Sequence, residues 1–230
     1  RVSVRGSSGV ALAAGAYWYL QNVAHIDISW CGRQVRLPDP LPPLSPVVRK
    51  TAHFRDRYFF NYCAFSYSLA WWNWTQWEPM IDWMALHGIN MPLAVTGQEA
   101  VWQALGRSLE LDDGDLKPFL AGPAFLPFGW MGCLDGWGGP LPAKWIDQHA
   151  DLQRKILARE RAFGMTPVLQ GFTGHVPPAT RKRFPESRLH RVHWIEWDTL
   201  LLDPLDPLFR RFATTFLRHQ KRLFGTNHLY

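Results

Sequence analysis

Three times along this chain a helix-like stretch closes on basic residues, a glycine and a short β-rich run. Met84-Ala85-Leu86-His87-Gly88 precedes Ile89-Asn90-Met91. Arg159-Glu160-Arg161-Ala162-Phe163-Gly164 precedes Met165-Thr166-Pro167-Val168-Leu169, and Lys221-Arg222-Leu223-Phe224-Gly225 precedes His228-Leu229-Tyr230. Glycine takes the left-handed position past a helix end without a Cβ penalty, and a cation in the last turn complements the negative end of the helix dipole. One α-to-β junction used repeatedly implies a parallel α/β architecture. Gly88, Gly164 and Gly225 lie 76 and 61 residues apart, whereas a bare βαβ unit needs roughly 30 residues. Each strand is therefore expected to carry a long insertion before its helix. In a (β/α)8 barrel the loops after the strands line the active-site face, so function is expected in those insertions. The third strand candidate reaches the last residue, and the reading is of the first part of a TIM barrel, truncated.

Composition narrows the partners. A chain of 230 residues with 47% hydrophobic content buries a substantial core in one or two domains. The longest mostly apolar run, Gly9 to Leu20, is too short to span a bilayer and reads as a buried helix, so no membrane partner is expected. The net charge of +6 favours a polyanion in general. The densest basic stretch, Arg181 to His193, is interrupted by Pro185 and Glu186 and lacks a nucleic-acid fold signature, which makes it a solvated loop and argues against nucleic acid. His190-Arg191-Val192-His193 has no carboxylate completing a metal set, so neither metal nor cofactor is expected. Cys31, Cys63 and Cys133 are odd in number and form no Cys-x-x-Cys pair, which argues against a disulfide framework.

Val2-Ser3-Val4, a helix over Val10 to Asn22 and a strand over Ile26 to Trp30 read as a small β-α-β piece. The Pro-rich stretch Pro38 to Pro46 reads as a linker. This gives an N-terminal α/β domain over 1–46 and a barrel portion over 47–230. Tyr58 to Phe65 is expected as the first barrel strand. Trp74, Trp77, Ile81 and Met84 recur at helical spacing, with Thr75 and Glu78 available as a capping box, while Pro79 suggests a start a residue or two later. Asn90 to Val95 is the second strand, followed by a helix to about Arg107. Ile146 to Phe163 and Pro207 to Phe224 are the later helices, and Thr166 to Gln170 is the third strand. Between them Gly122 to Pro142, rich in Gly, Pro and aromatics, is a long unpatterned loop of the kind that carries function.

Thirteen tryptophans admit two readings, a core or a cleft whose flat rings meet sugar faces while a few polar groups fix the hydroxyls. Trp74, Trp77 and Trp83 read as core, and Phe128, Trp130 and Trp137 stand open between the two. Polar candidates at strand ends are Asn61, Cys63 and Tyr67 for the first strand, Gln98 and Glu99 for the second, and His175 for the third. Glycosidic cleavage by a retaining enzyme needs two carboxyl groups about 5 to 5.5 Å apart. Glu99 is one strand-end acid, and no second stands out, since Asp135, Glu196 and Asp198 read as solvated loop residues. Asn73-Trp74-Thr75 fits the N-glycosylation pattern, in competition with burial of the Trp-rich helix start.

Several ordered motifs resemble the α-N-acetylglucosaminidases, lysosomal glycoside hydrolases that degrade heparan sulfate. They are Val2 to Val10, Asn61-Tyr62-Cys63 with Ser66-Tyr67-Ser68 and Trp71-Trp72-Asn73-Trp74, and Ile81 to Asn90. Gly97-Gln98-Glu99-Ala100-Val101-Trp102, Gly122-Pro123-Ala124-Phe125-Leu126, Phe163 to Leu169 and Gly174-His175-Val176-Pro177 continue the series, whereas Arg181 to Leu202 departs from it. The resemblance implies a small N-terminal domain, a catalytic (β/α)8 barrel, a helical C-terminal domain not in this sequence, and often an oligomer. It implies metal-free, retaining removal of terminal α-linked N-acetylglucosamine by two glutamates, an acid/base and a nucleophile, both expected beyond Tyr230. By the same resemblance Asn61, Cys63 and Tyr67 belong to the sugar pocket, and Phe128 stands where the family has an aromatic. Gln98, Glu99 and His175 join the substrate-binding set from their strand-end positions. The alternative is a short non-catalytic glycan-binding or interaction module. The isolated 230 residues are expected to be inactive, because no acid protonates the leaving oxygen. Release of the aryl alcohol from an aryl α-N-acetylglucosaminide by the purified chain would refute this.

Overall fold

A computed structural model describes residues 2–225, 228 and 229. Along the chain run α1 (Gly9–Asn22), β1 (Asp27–Ile28), β2 (Arg33–Gln34), β3 (Tyr58–Phe59), α2 (Tyr62–Tyr67) and α3 (Trp74–Leu86). They are followed by β4 (Met91–Pro92), α4 (Gln98–Ser108), α5 (Asp113–Leu116), α6 (Leu126–Trp130) and α7 (Trp145–Ala162). The remainder is β5 (His175–Val176), α8 (Thr180–Arg183), β6 (Leu189–Trp194), β7 (Trp197–Leu202) and α9 (Pro207–Phe224). The chain divides into two compact units. One comprises Arg1–Phe59, Asn73–Pro92 and Ile156–Pro167, the other Phe60–Trp72, Leu93–Lys155 and Val168–Tyr230.

All three junction glycines adopt the left-handed conformation, Gly88 at φ 78°, Gly164 at 76° and Gly225 at 64°. After α3 the Ile89 N–H reaches back to the Met84 carbonyl (2.9 Å), and after α7 the Met165 N–H reaches the Glu160 carbonyl (3.0 Å). This six-to-one bond closes the last turn and turns the chain into a strand. Arg159 and Arg161 occupy the last turn of α7, and Lys221 and Arg222 that of α9. His87, by contrast, is the cap residue of α3, and its Nδ1 meets the Trp83 carbonyl at 2.8 Å.

The strands that leave these junctions pair in parallel and in chain order. Tyr58 and Phe59 face Met91 and Pro92, and the Thr166 N–H donates to the Asn90 carbonyl. Leu93 bridges Val168, and Leu169 bridges Leu229. That is the succession of a (β/α)8 barrel, here as a partial barrel. Tyr230, the end of the last expected strand, lies outside the described residues.

In the first unit α1 packs on α3. Val10, Tyr17 and Tyr19 are buried on one helix and Trp77, Met80, Ile81, Met84 and Ala85 on the other. Asn90 ties β3 to β4, its Oδ1 accepting from the Arg57 N–H (2.8 Å) and its Nδ2 donating to the Arg55 carbonyl (2.8 Å). The N-terminal residues depart from their sequence pattern. Val2 to Val4 is not a strand, and β1 pairs antiparallel with β2 in a short hairpin instead of completing a β-α-β unit. The Tyr17 hydroxyl holds that hairpin, donating to Asp27 Oδ1 (2.8 Å) and accepting from the Ile28 N–H (3.1 Å). Asn73, not Thr75, caps α3. Its Oδ1 accepts from the Thr75 N–H while Gln76 Oε1 accepts from the Asn73 N–H, so the helix starts earlier than Pro79 suggests and the proline lies inside it.

In the second unit α4 packs on α9, and the buried amides of Gln170 and Gln220 act as pins. Gln170 donates to the Trp130 carbonyl (2.5 Å) and Gln220 to the Gln170 carbonyl (2.9 Å). The stretch expected as a solvated basic loop is α8 followed by a hairpin of β6 and β7, with β5 pairing antiparallel on β7. Its turn holds Ile195 at φ 55°, a position where sequence reasoning looks for Gly or Asn.

The left-handed glycines set a testable cost. A Cβ at Gly164 meets nothing closer than the Ser8 Cβ at 3.9 Å, so Gly164→Ala carries the conformational penalty alone. It is expected to lower stability by about 1 kcal/mol, read as a lower urea midpoint at constant m value.

Candidate functional site

The first expected strand is much shorter than its apolar run. After Phe59 the chain turns at Phe60, whose φ is 79°, and Asn61 starts α2 by accepting the Ala64 N–H on its Oδ1 at 3.0 Å. The expected strand over Tyr58 to Phe65 is thus a two-residue strand and then a helix. The turn decides which side chains reach the strand's end. Cys63 and Tyr67 sit four residues apart, hence on one face of α2, Cys63 half-buried and Tyr67 74% exposed. The opposite side of α2 packs through Tyr62 and Phe65 against Trp130 of α6.

That packing brings the Gly122–Pro142 loop to α2. The Tyr67 ring lies edge-on to Phe128 with centroids 6.5 Å apart. Burial, and secondarily the neighbouring Cys63 thiol, push the Cys133 thiol up. Tyr67 and Phe128 therefore meet, and Cys63 lies near Cys133, where the two short helices α2 and α6 pack. Trp130, open between core and cleft in the sequence, is core at 7% exposure, whereas Phe128 is half-buried and Trp137 exposed. The loop closes on itself at Gly122, whose N–H donates to the Trp137 carbonyl (2.7 Å) and where a Cβ would collide with the Gly138 carbonyl.

His175, in β5, is buried, and its Nε2 meets Asp135 Oδ1 at 2.7 Å, with the Phe119 ring against the imidazole. Asp135 is thus not the solvated loop residue expected. It is a nearly buried acceptor that fixes the histidine. Sequence reasoning misses it because nothing local distinguishes an aspartate whose partner lies 40 residues away. Asp198, by contrast, is solvent-exposed as expected and accepts from Arg191 (3.2 Å) and His193 (3.0 Å) across the β6–β7 hairpin.

Gln98 and Glu99 open α4, both at or below 1% exposure. Glu99 Oε1 accepts from the Trp145 indole N–H at 3.2 Å, while its Oε2 and both polar atoms of the Gln98 amide are buried without a hydrogen-bond partner among the described residues. Burial pushes the Glu99 carboxyl up to about 7, against which its own backbone N–H and the indole pull only partly. Glu160, also buried with both oxygens unpartnered among the described residues, is raised well above the usual carboxylate range by burial. Among the described residues no group of three or more His, Cys, Asp or Glu is placed to hold a metal ion.

The arrangement offers flat aromatic faces, an amide, a thiol and a phenol at one rim, the recipe of a sugar pocket. Asp135 is engaged by His175 and Glu99 by Trp145. The raised Glu99 has a stability consequence. The folded state holds its proton more tightly than the unfolded chain, so its contribution is full below about pH 4.5 and is lost as pH rises through about 7. The loss amounts to about 3 kcal/mol. Glu99→Gln is expected to flatten the stability profile across that window, as measured by urea midpoints at pH 4.5 and 7.5.

Residues 57–230 match the family profile of the alpha-N-acetylglucosaminidase TIM-barrel domain, and residues 1–43 that of its N-terminal domain. The chain is 44% identical over 236 aligned residues to human alpha-N-acetylglucosaminidase, covering all of itself and 32% of that protein. It is similar to a family 89 glycoside hydrolase from Clostridium perfringens solved with 2-acetamido-1,2-dideoxynojirmycin and with PUGNAc. The TM-score is 0.91 at 32% identity, over 96% of this chain and 26% of that one. A form of the same bacterial enzyme with two glutamates replaced by glutamine, solved with its substrate GlcNAc-α-1,4-galactose, is equally similar. This chain thus spans about a third of the length of the human relative and about a quarter of the bacterial one. With its parallel strands in barrel order and both profiles matched, the chain belongs to the α-N-acetylglucosaminidase family of glycoside hydrolases.

Proposed function

We propose that this chain is the N-terminal part of a retaining exo-glycosidase that removes terminal α-linked N-acetylglucosamine from the non-reducing end of heparan sulfate-type glycans. The observation that carries the reading is the similarity along the whole of this chain to about a third of human alpha-N-acetylglucosaminidase, together with likeness to a bacterial enzyme solved with GlcNAc-α-1,4-galactose. On this reading residues 1–46 form the N-terminal domain with its linker, and residues 47–230 the opening portion of the barrel. The working compartment is the lysosome and the complete enzyme is an oligomer. Among the described residues no helix is long and apolar enough to cross a membrane.

In the reaction one carboxylic acid protonates the glycosidic oxygen while a carboxylate attacks the anomeric carbon. Water, activated by the first group, then hydrolyses the glycosyl-enzyme. Those two glutamates belong to the rest of the enzyme, and this portion holds the sugar. Asn61 spends its Oδ1 on the α2 cap, which leaves Nδ2 to donate to a sugar hydroxyl. Tyr67 and Phe128, edge to face at the rim, present ring area to the sugar with the phenol free to bond a hydroxyl. Gln98, Glu99 and His175 complete the substrate-binding set from their strand-end positions, although all three side chains are buried in this chain.

The complete coding frame, expressed and purified, is expected to release N-acetylglucosamine from GlcNAc-α-1,4-galactose and from heparan sulfate oligosaccharides with terminal α-GlcNAc. Tyr67→Ala is expected to lower kcat/KM by roughly tenfold, about 1.4 kcal/mol of transition-state binding. A complete protein that binds these glycans without cleaving them would instead establish a non-catalytic glycan-binding module.

A further inference from the structure

The aromatic side chains of the second unit do not stop at the pocket rim. From Tyr67 and Phe128 they continue outward ring by ring. Phe128 lies against Trp194 (6.1 Å between centroids, planes 23° apart), Trp194 against Trp197 (6.1 Å, 29°), and Trp197 against Trp137 (4.8 Å). Trp137 stacks in turn on Phe125 (4.2 Å, 26°). A hydrophobic core would hide such a run. Here Tyr67 is 74% exposed, Trp137 41% and Trp194 37%. Contiguous exposed aromatic surface on a folded domain marks a binding site more often than an accident of packing.

The hairpin fixes what this surface can bind. Trp194 and Trp197 are cross-strand partners, as are Val192 and Thr199 two pairs further on, so all four share one face. On that face Thr199 is buried and its hydroxyl donates to the Gly132 carbonyl at 2.9 Å, which seats the hairpin on the Gly122–Pro142 loop. The charged residues Arg191, His193 and Asp198 alternate onto the other face and are bound to one another. The rings thus face away from the Arg191–Asp198–His193 group, while His190 on their own face is engaged by Asp203 (3.1 Å), and they suit stacking against the C–H faces of sugar rings more than pairing with sulfate. The Trp137 indole is held by stacking on Phe125, and its main chain by the Gly122 N–H bond to its carbonyl, so little ordering entropy is lost when a ring docks there.

We propose that Trp194, Trp197 and Trp137 form an aglycone subsite, a track on which the sugar units beyond the scissile bond stack, which rests on the functional reading above. The substrate recognised is then an oligosaccharide chain, not an isolated terminal sugar. This assigns the hairpin over 189–202, where the chain departs from its resemblance to the family, as the element that sets preference among glycans.

In the complete enzyme, KM is measured for an oligosaccharide with terminal α-GlcNAc and for methyl α-N-acetylglucosaminide, whose aglycone is too small to reach the track. Trp197→Ala and Trp137→Ala are each expected to raise the ratio of the oligosaccharide KM to the methyl glycoside KM roughly tenfold, and Trp197→Phe to restore most of it. A change shared equally by both substrates would mean that the tryptophans only hold the hairpin, and an unaltered ratio would mean that the track does not bind sugar. Either result overturns the subsite while leaving the glycosidase reading intact. A wild-type enzyme that cleaves neither substrate removes that reading, and the subsite falls with it.

Discussion

Everything in this structure hangs on a turn of one residue, the left-handed glycine that ends a helix and launches a parallel strand. At Gly88 and Gly164 the same backbone bond spans the turn, from the residue after the glycine to a carbonyl five positions back. It satisfies a helix-end carbonyl that burial would otherwise orphan. The strands that follow pair in parallel and in chain order. Their far ends are then free to run into long excursions. Tight connections on one side and long insertions on the other are the barrel's division between stability and function.

On the insertion side the chain spends short helices and aromatic rings to build rigid surface. The helix α2 begins only because Phe60 takes a positive φ and Asn61 caps the first turn. Trp130 is buried as a wedge between Tyr62 and Phe65, and its carbonyl accepts from the Gln170 amide. Such buried amide pins are costly if unmet and specific when met, so they fix the loop where loose hydrophobic packing would not. Two buried carboxyls, Glu99 and Glu160, are held in surroundings that favour the protonated form. Their contribution to stability is therefore larger at low pH than near neutrality.

How much of the fold is legible in the chain depends on whether the signal is local. The helix over Pro207 to Phe224 is legible to the residue, because its Asp206 cap, its proline at the first position and its glycine at the end adjoin or lie within it. The α3 cap lies two residues from the one its sequence suggests, because Thr75 and Asn73 both offer a capping side chain and the rest of the turn decides between them. The β6–β7 hairpin reads as a loop in sequence since its turn carries Ile195 and Glu196 without glycine or asparagine. It is held by six paired positions and by Thr199 reaching Gly132. Asn61, Cys63, Tyr67 and Phe128 are singled out through family resemblance, but that Phe128 lies against Tyr67, and Cys133 near Cys63, follows only from the packing of α2 on α6.

The sequence by itself determined the parallel α/β plan, the long helices, the position of the long insertions and the family. Each of those is written in glycine placement, apolar period and motif order, which act over a few residues. Only the tertiary structure decided that Asp135 fixes His175, that Trp130 is core while Trp137 is exposed, and that an aromatic run crosses from α2 to a hairpin more than a hundred residues away in the chain. These are distance-dependent contacts between segments remote in sequence. Burial and ring stacking depend on which surfaces meet, and no local pattern encodes that meeting.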